Sequence, residues 1–181
     1  NNLKKNFSDF IDKTPSLGKT FVCIDDKHSK DILKKIKKKN YYTFGINKKA
    51  NFQINNISQN KNFSKFDLKI RIPGTETRIS NIKIPLIGFH NIKNATSAFA
   101  VSFSIGINSN TIKNGLLKFK GVQRRFNFIF EYQNSIYFDD YAHHPTEIYE
   151  LLKSTKAVYE SKKIISVFQP HRISRLNSLK K

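Results

Sequence analysis

The sequence predicts an α/β fold on three observations. A short apolar run, an amphipathic helix-length stretch and a second apolar run follow one another between residues 19 and 45. Strands of alternating pattern succeed each other between residues 51 and 84, and helical segments come after them. Beyond residue 123 strand and helix patterns alternate again, which signals a second α/β unit.

Taken in order, residues 7–11 read as the end of a helix, closed by Pro15 and Gly18. Residues 19–24 form a nearly continuous apolar strand, suited to a parallel sheet. Residues 25–38 read as a helix with Ile32, Leu33 and Ile36 on one face, and residues 41–45 as the next strand, a strand–helix–strand crossover. Three strands follow at 51–58, 63–72 and 77–84; Phe66, Leu68, Ile70 and Ile72 alternate with polar residues, and Pro73-Gly74 marks a turn. The Asn- and Lys-rich stretch 55–65 supplies a hairpin loop. Residues 90–104 are helical, with the small run Ala95-Thr96-Ser97-Ala98 permitting close packing, and Ser109 caps a further helix at 111–119. Gly121-Val122-Gln123 reads as the boundary between two units, 1–122 and 123–181. The second unit has strands at 125–131 and 135–138, a helix at 145–159, a strand at 163–168 and a last helix opening near Arg172.

The 181 residues carry 33 Lys and Arg against 13 Asp and Glu, a net charge of +20. Such a charge suits a nucleic-acid partner, but the lysines are dispersed and rise together with Asn, Ile and Phe, residues of A/T-rich codons. Aromatics are not interleaved with the basic residues as a base-stacking platform requires, so no nucleic-acid partner is expected. The run Lys34-Lys35-Ile36-Lys37-Lys38-Lys39 reads as the solvated end of a helix. No apolar run approaches the roughly 18 residues of a membrane span, and no signal pattern opens the chain. The single cysteine, Cys23, sits in the apolar run Phe21-Val22-Cys23-Ile24 and reads as a small buried hydrophobe in a reducing, cytoplasmic setting. The absence of methionine leads to the expectation of a piece of a longer protein.

Four stretches could carry chemistry. The richest is Phe138-Asp139-Asp140-Tyr141-Ala142-His143-His144-Pro145-Thr146-Glu147, which places carboxylates, a phenol and imidazoles between a strand end and a helix start. Open α/β sheets build ligand sites in such places; the same residues also serve turns and caps. In Gly88-Phe89-His90-Asn91-Ile92-Lys93-Asn94-Ala95 a glycine opens a helix, and Asn91 and Asn94 share a face with amides that match an adenine edge, or else cap and face solvent. Arg124-Arg125-Phe126 follows the boundary; its guanidinium groups suit a phosphoryl group or a solvated basic surface. In Phe168-Gln169-Pro170-His171-Arg172-Ile173-Ser174-Arg175, Arg172 and Arg175 lie three apart and can clamp one carboxylate. Gly18-Lys19-Thr20 is no phosphate loop: Lys13 stands where the first glycine belongs, and a strand follows instead of a helix. His143 and His144 lack a third ligand, so no metal is assigned to them.

In this order and spacing, Gly88–His90–Asn91–Asn94–Ala95, Gly121-Val122-Gln123-Arg124-Arg125-Phe126, the 139–147 run and Phe168-Gln169-Pro170-His171-Arg172 resemble the Mur ligase family. The resemblance implies three domains, of which this chain would hold the back part of the central ATPase domain (1–122) and the front of the Rossmann-like C-terminal domain (123–181). It implies ATP-dependent amide formation through an acyl phosphate in peptidoglycan synthesis, closest to the branch that joins L-alanine to UDP-N-acetylmuramate. By position, Asn91 and Asn94 would contact adenine, Arg125 the phosphates, and Asp140 the ribose. His143 or His144, with Tyr141, His171, Arg172 and Arg175, would hold the amino acid and the acceptor. The phosphate loop and the Mg2+ carboxylates of the family lie upstream, so residues 1–181 alone are expected to be inactive. Two departures stand out: Ala142 replaces a common glycine, and Asn127 a common acid. Ala142 leans towards the murein tripeptide ligases of cell-wall recycling; Glu147 and Gln169-Pro170-His171-Arg172 lean away. A stand-alone nucleotide- or nucleic-acid-binding remnant is the remaining alternative.

Overall fold

The computed structural model describes residues 2–37 and 40–170. Helix α1 (Asn2–Asp12) leads into strand β1 (Thr20–Cys23), helix α2 (Lys27–Leu33) and strand β2 (Tyr41–Gly45). Strands β3 (Phe52–Gln59), β4 (Ser64–Ile72) and β5 (Thr75–Ile84) follow, then helices α3 (Phe89–Ser104) and α4 (Ser109–Lys118). The chain continues through β6 (Asn127–Tyr132), β7 (Ser135–Asp139) and helix α5 (Pro145–Val158).

The first five strands form one sheet in sequence order. β1, β2 and β3 run parallel, whereas β4 and β5 are antiparallel additions. The crossover through α2 therefore joins neighbouring parallel strands, as the apolar pattern predicts. One sheet face meets α3 and α4. Phe66, Leu68 and Ile70 of β4 are fully buried against Phe52, Ile82, Ile84 and the α3 side chains Ile92 and Phe99. Burying each such side chain contributes about 1.5–3 kcal/mol. The alternate β4 residues Lys65, Asp67 and Lys69 face outward. Asp67 accepts from the Asn56 amide (2.7 Å) and the Asn81 N–H (2.9 Å), and so ties together two bulges whose residues adopt positive φ. At the C-terminal ends of β1 and β2, Asp25 accepts from the Ile46 and Asn47 N–H groups at 3.1 Å each. Gly45 (φ 142°) is required there, because a Cβ would lie 2.4 Å from the Asp25 carboxylate.

Several expected boundaries move. Helix α2 ends at Leu33, not residue 38: Ile36 turns inward, and the Lys37 N–H bonds the Asp12 carboxylate at 3.0 Å instead of continuing the helix. Lysines packed three and four apart add like-charge repulsion to the same end. Asn108, not Ser109, caps α4, accepting from the Asn110 N–H at 2.9 Å. Strand β6 starts at Asn127 because Arg124 and Phe126 adopt positive φ. The loop of the β3–β4 hairpin is shorter than 55–65, since both strands run into that stretch.

The strand expected at 163–168 does not form. Ile165 and Val167 are 79% and 95% exposed, and the segment joins neither sheet. β-Branched composition favours a strand only where a neighbouring ladder accepts it. The helix expected near Arg172 lies outside the described residues.

Candidate functional site

Helix α3 begins abruptly at the sheet edge. Gly88 is its N-cap, at φ 101°, with no side chain to cap the helix. A Cβ at this position would lie 2.7 Å from His90 Cε1, 3.0 Å from His90 Nδ1 and 3.4 Å from Ser154 Oγ of α5. Glycine is therefore needed for the positive φ and for the close His90 ring, while Ser154 of α5 stands at ordinary contact distance. The Asn91 amide donates to the Ile87 carbonyl at 2.7 Å, leaving its Oδ1 and one N–H. Asn94, one turn on, is exposed.

His90 was not singled out from the sequence by itself, yet it is the unusual side chain here. Its Nδ1 is buried without a hydrogen-bond partner. Burial holds its pKa below the ordinary histidine value; Asp140 and Glu150 pull it up, while Lys93 and Arg125 push it down. With Ser154 of α5 beside Gly88, these charges put the α3 N-terminus within electrostatic reach of the β7–α5 loop and Arg125.

The second unit supplies the other wall. Strands β6 and β7 pair through a two-residue turn, Gln133-Asn134, with both residues at positive φ. The strand end and helix start inferred from the sequence bracket the polar loop as expected: β7 ends at Asp139 and α5 begins at Pro145. Asp140 accepts from the Phe126 N–H (2.7 Å) and the Ala142 N–H (2.6 Å). Both its oxygens thus hold backbone, and each keeps a further lone pair for a ligand. The Tyr141 N–H donates to the Arg124 carbonyl at 2.8 Å. Arg124 pairs with Asp139 at 3.3 Å. The guanidinium carbons of Arg124 and Arg125 stand 5.4 and 5.9 Å from the Tyr141 ring centre.

The two adjacent histidines are held in different ways. His143 Nδ1 donates to the Tyr141 carbonyl at 2.9 Å, which leaves Nε2 to accept a proton. Glu147 Oε2 lies 3.8 Å from the same Nδ1. His144 is the N-cap of α5: its Nδ1 accepts from the Thr146 N–H at 3.3 Å, so Nε2 carries the hydrogen. Burial works against ionisation of Glu147, but the N–H groups of His143 and His144 and the charge of Arg125 outweigh it and hold the carboxyl below its ordinary pKa.

The structure therefore gathers Arg125, Asp140, Tyr141, His143 and His144 in the 124–147 segment, and sets Asn91 and Asn94 on α3 next to His90, the ring on which Asp140 and Arg125 act. His171, Arg172 and Arg175 lie outside the described residues. Among the described residues no three His, Cys, Asp or Glu side chains gather as metal ligands, and no helix is long and apolar enough to cross a membrane. Thr20, the end of Gly18-Lys19-Thr20, opens β1, which is strand geometry and not that of a phosphate loop.

Comparison with known proteins points to one family. Residues 1–102 match the Mur ligase middle domain and residues 124–180 the Mur ligase, glutamate ligase domain. The UDP-N-acetylmuramate–L-alanine ligase of Pelagibacter ubique is 56% identical over 99% of this chain, and that of Caulobacter vibrioides 36% identical over 98%. This chain spans 39% and 38% of their lengths. The crystal structure of the UDP-N-acetylmuramate–alanine ligase from Thermotoga maritima matches with a TM-score of 0.65 at 31% identity, over 80% of this chain and 37% of that one.

Proposed function

This chain belongs to the Mur ligase family, and we propose from that premise that it supplies the nucleotide- and acceptor-facing part of a cytoplasmic ATP-dependent ligase. The ligase joins L-alanine to UDP-N-acetylmuramate in peptidoglycan synthesis. The observation that carries the reading is the α3 N-terminus, where Asn91 and Asn94 follow His90, a ring on which the charges of Asp140 and Arg125 act, and where α5 comes close to Gly88. The change from a packed sheet to a hydrogen-bonded hairpin near Gly121 supports the division into 1–122 and 123–181.

In this reading the donor set fits an adenosine phosphate. Asn91 Oδ1, its second N–H and the exposed Asn94 amide offer the donor–acceptor pair that an adenine edge needs. The unsatisfied His90 Nδ1 offers one more polar contact. Asp140 has lone pairs for the ribose hydroxyls, and Arg125 neutralises charge as the phosphoryl group moves. Mg2+ would be held by residues other than those described, which lack a ligand cluster.

The reaction transfers the γ-phosphoryl group to the lactyl carboxylate of UDP-N-acetylmuramate with loss of ADP. The alanine amine then attacks the acyl carbon, and phosphate leaves as the amide forms. His143, whose Nδ1 is anchored on the Tyr141 carbonyl, would take the proton of the alanine ammonium at Nε2. His144 can only donate from Nε2 and is suited to a carboxylate oxygen. Tyr141, His171, Arg172 and Arg175 would complete the amino-acid and acceptor pocket.

The test replaces the matching segment of the Pelagibacter ubique ligase with residues 1–181 and follows phosphate release. Release should require ATP, UDP-N-acetylmuramate and L-alanine together, and Arg125→Ala should lower kcat about 10²- to 10³-fold. Release supported by a murein tripeptide but not by L-alanine would move the chain to the recycling branch.

A further inference from the structure

Arg124 has no role in the reading above, yet it is the most heavily constrained residue of the inter-unit segment. It adopts φ 57°, a region that non-glycine residues rarely occupy, and Phe126 two residues on adopts φ 52°. Its carbonyl accepts from the Tyr141 N–H, its Nε pairs with Asp139, and its guanidinium lies over the Tyr141 ring. The Asn127 amide, oriented to satisfy both its groups, accepts from the Arg124 N–H at 3.0 Å and donates to the Val122 carbonyl at 3.3 Å. Phe126, anchored through its N–H to Asp140, stacks on Phe138 at 4.3 Å. Arg125 is thus suspended between two fixed residues, while its own exposed side chain stands over the Tyr141 ring.

We propose that Arg124 is a positioning residue: its clasp on Asp139 and Tyr141 fixes the inter-unit segment so that Arg125 points at the α3 N-terminus. An exposed Arg–Asp pair by itself stabilises little. Here it acts together with two backbone anchors on a strained turn, and its effect is on direction more than on stability. Strain of this kind persists where the surroundings over-determine it. The inference deepens the proposed ligase site by naming what aims its phosphate-binding arginine.

The test needs no substrate, so its failure is separable from failure of the ligase reading. His90 reports the position of Arg125, because the Arg125 charge lies among those that act on it, with Asp140, Glu150 and Lys93 the other groups facing the ring. In the 181-residue chain the His90 Cε1–H resonance is titrated by NMR. Arg125→Ala should raise the His90 midpoint. Arg124→Gly, which keeps the backbone conformation and deletes the clasp, should raise it as well, and Arg124→Gly/Arg125→Ala should raise it no further than Arg125→Ala. Asp139→Asn gives a second route to the same loss if the glycine variant unfolds, and Arg124→Lys should partly restore the wild-type midpoint. A wild-type midpoint in both Arg124→Gly and Asp139→Asn, with Arg125→Ala shifted, would overturn the proposal. An unshifted Arg125→Ala would overturn it too, since Arg125 would then not be aimed at His90.

Discussion

The two units of this chain are held together by different physics. Every fully or nearly fully buried apolar side chain among the described residues lies at or before Ile112. From Gly121 to Pro170 no apolar side chain is buried; Phe128, Phe130, Tyr132 and Tyr137 of the hairpin are all substantially exposed. The first unit is ordered by dry packing of a sheet on α3 and α4. The second is ordered locally, by a tight turn, ring stacking, backbone N–H bonds to Asp140 and Glu147, and the Arg124–Asp139 pair. The difference teaches where precision comes from at the junction. Asn91 and Asn94 stand on a helix fixed by its core, whereas Arg125 and the two histidines stand on loops fixed by hydrogen bonds.

The sharpest way to break this contrast is to truncate one ring in each unit. Phe66→Ala should cost about 3–5 kcal/mol, as cavity-forming changes in full cores do. Phe138→Ala removes a half-buried stack and should cost about 1–2 kcal/mol, confined to the hairpin. Denaturant titrations read by NMR on both units decide it; equal costs would mean that the second unit shares the first unit's core.

An effect smaller than that of Phe66→Ala is expected at Asp140. Asp140→Ala leaves the Phe126 and Ala142 N–H groups without their acceptor, at about 1–3 kcal/mol. Amide exchange at Phe126 and Ala142 should accelerate while that of β4 stays unchanged. Acceleration in β4 as well would show that the units unfold as one.

The smallest effect concerns acid. The folded pKa of His90 lies below its unfolded value of about 6.5 because burial disfavours the charged ring. The unfolded chain then binds more protons in that window, so His90 makes stability fall as pH drops from about 6.5 through the folded value. His90→Gln should flatten this slope, as followed by thermal melts across that range; an unchanged slope would assign it to other groups.

Much of this was legible in the sequence. The alternation through Phe66, Leu68 and Ile70 gives β4, and the turn pair Pro73-Gly74 ends it. The polar run between Phe138 and Glu147 lies, as expected, between β7 and α5. What escaped was non-local. Ile36 leaves α2 because Asp12 is available to bond Lys37, and segment 163–168 lacks a ladder that composition cannot supply. The linkage of Arg124 to Asp139 and the unsatisfied His90 nitrogen depend on residues 15 or more positions apart coming together. No local pattern encodes them, although His90 lay inside a motif already noticed.

The central claim is that one nucleotide is gripped from both units at their junction. Amide hydrogen exchange of the Pelagibacter ligase carrying residues 1–181, with and without ADP and Mg2+, tests it most directly. The account predicts ADP-dependent protection at His90–Asn94 and at Arg124–His144 together. Protection confined to one of these segments would contradict it.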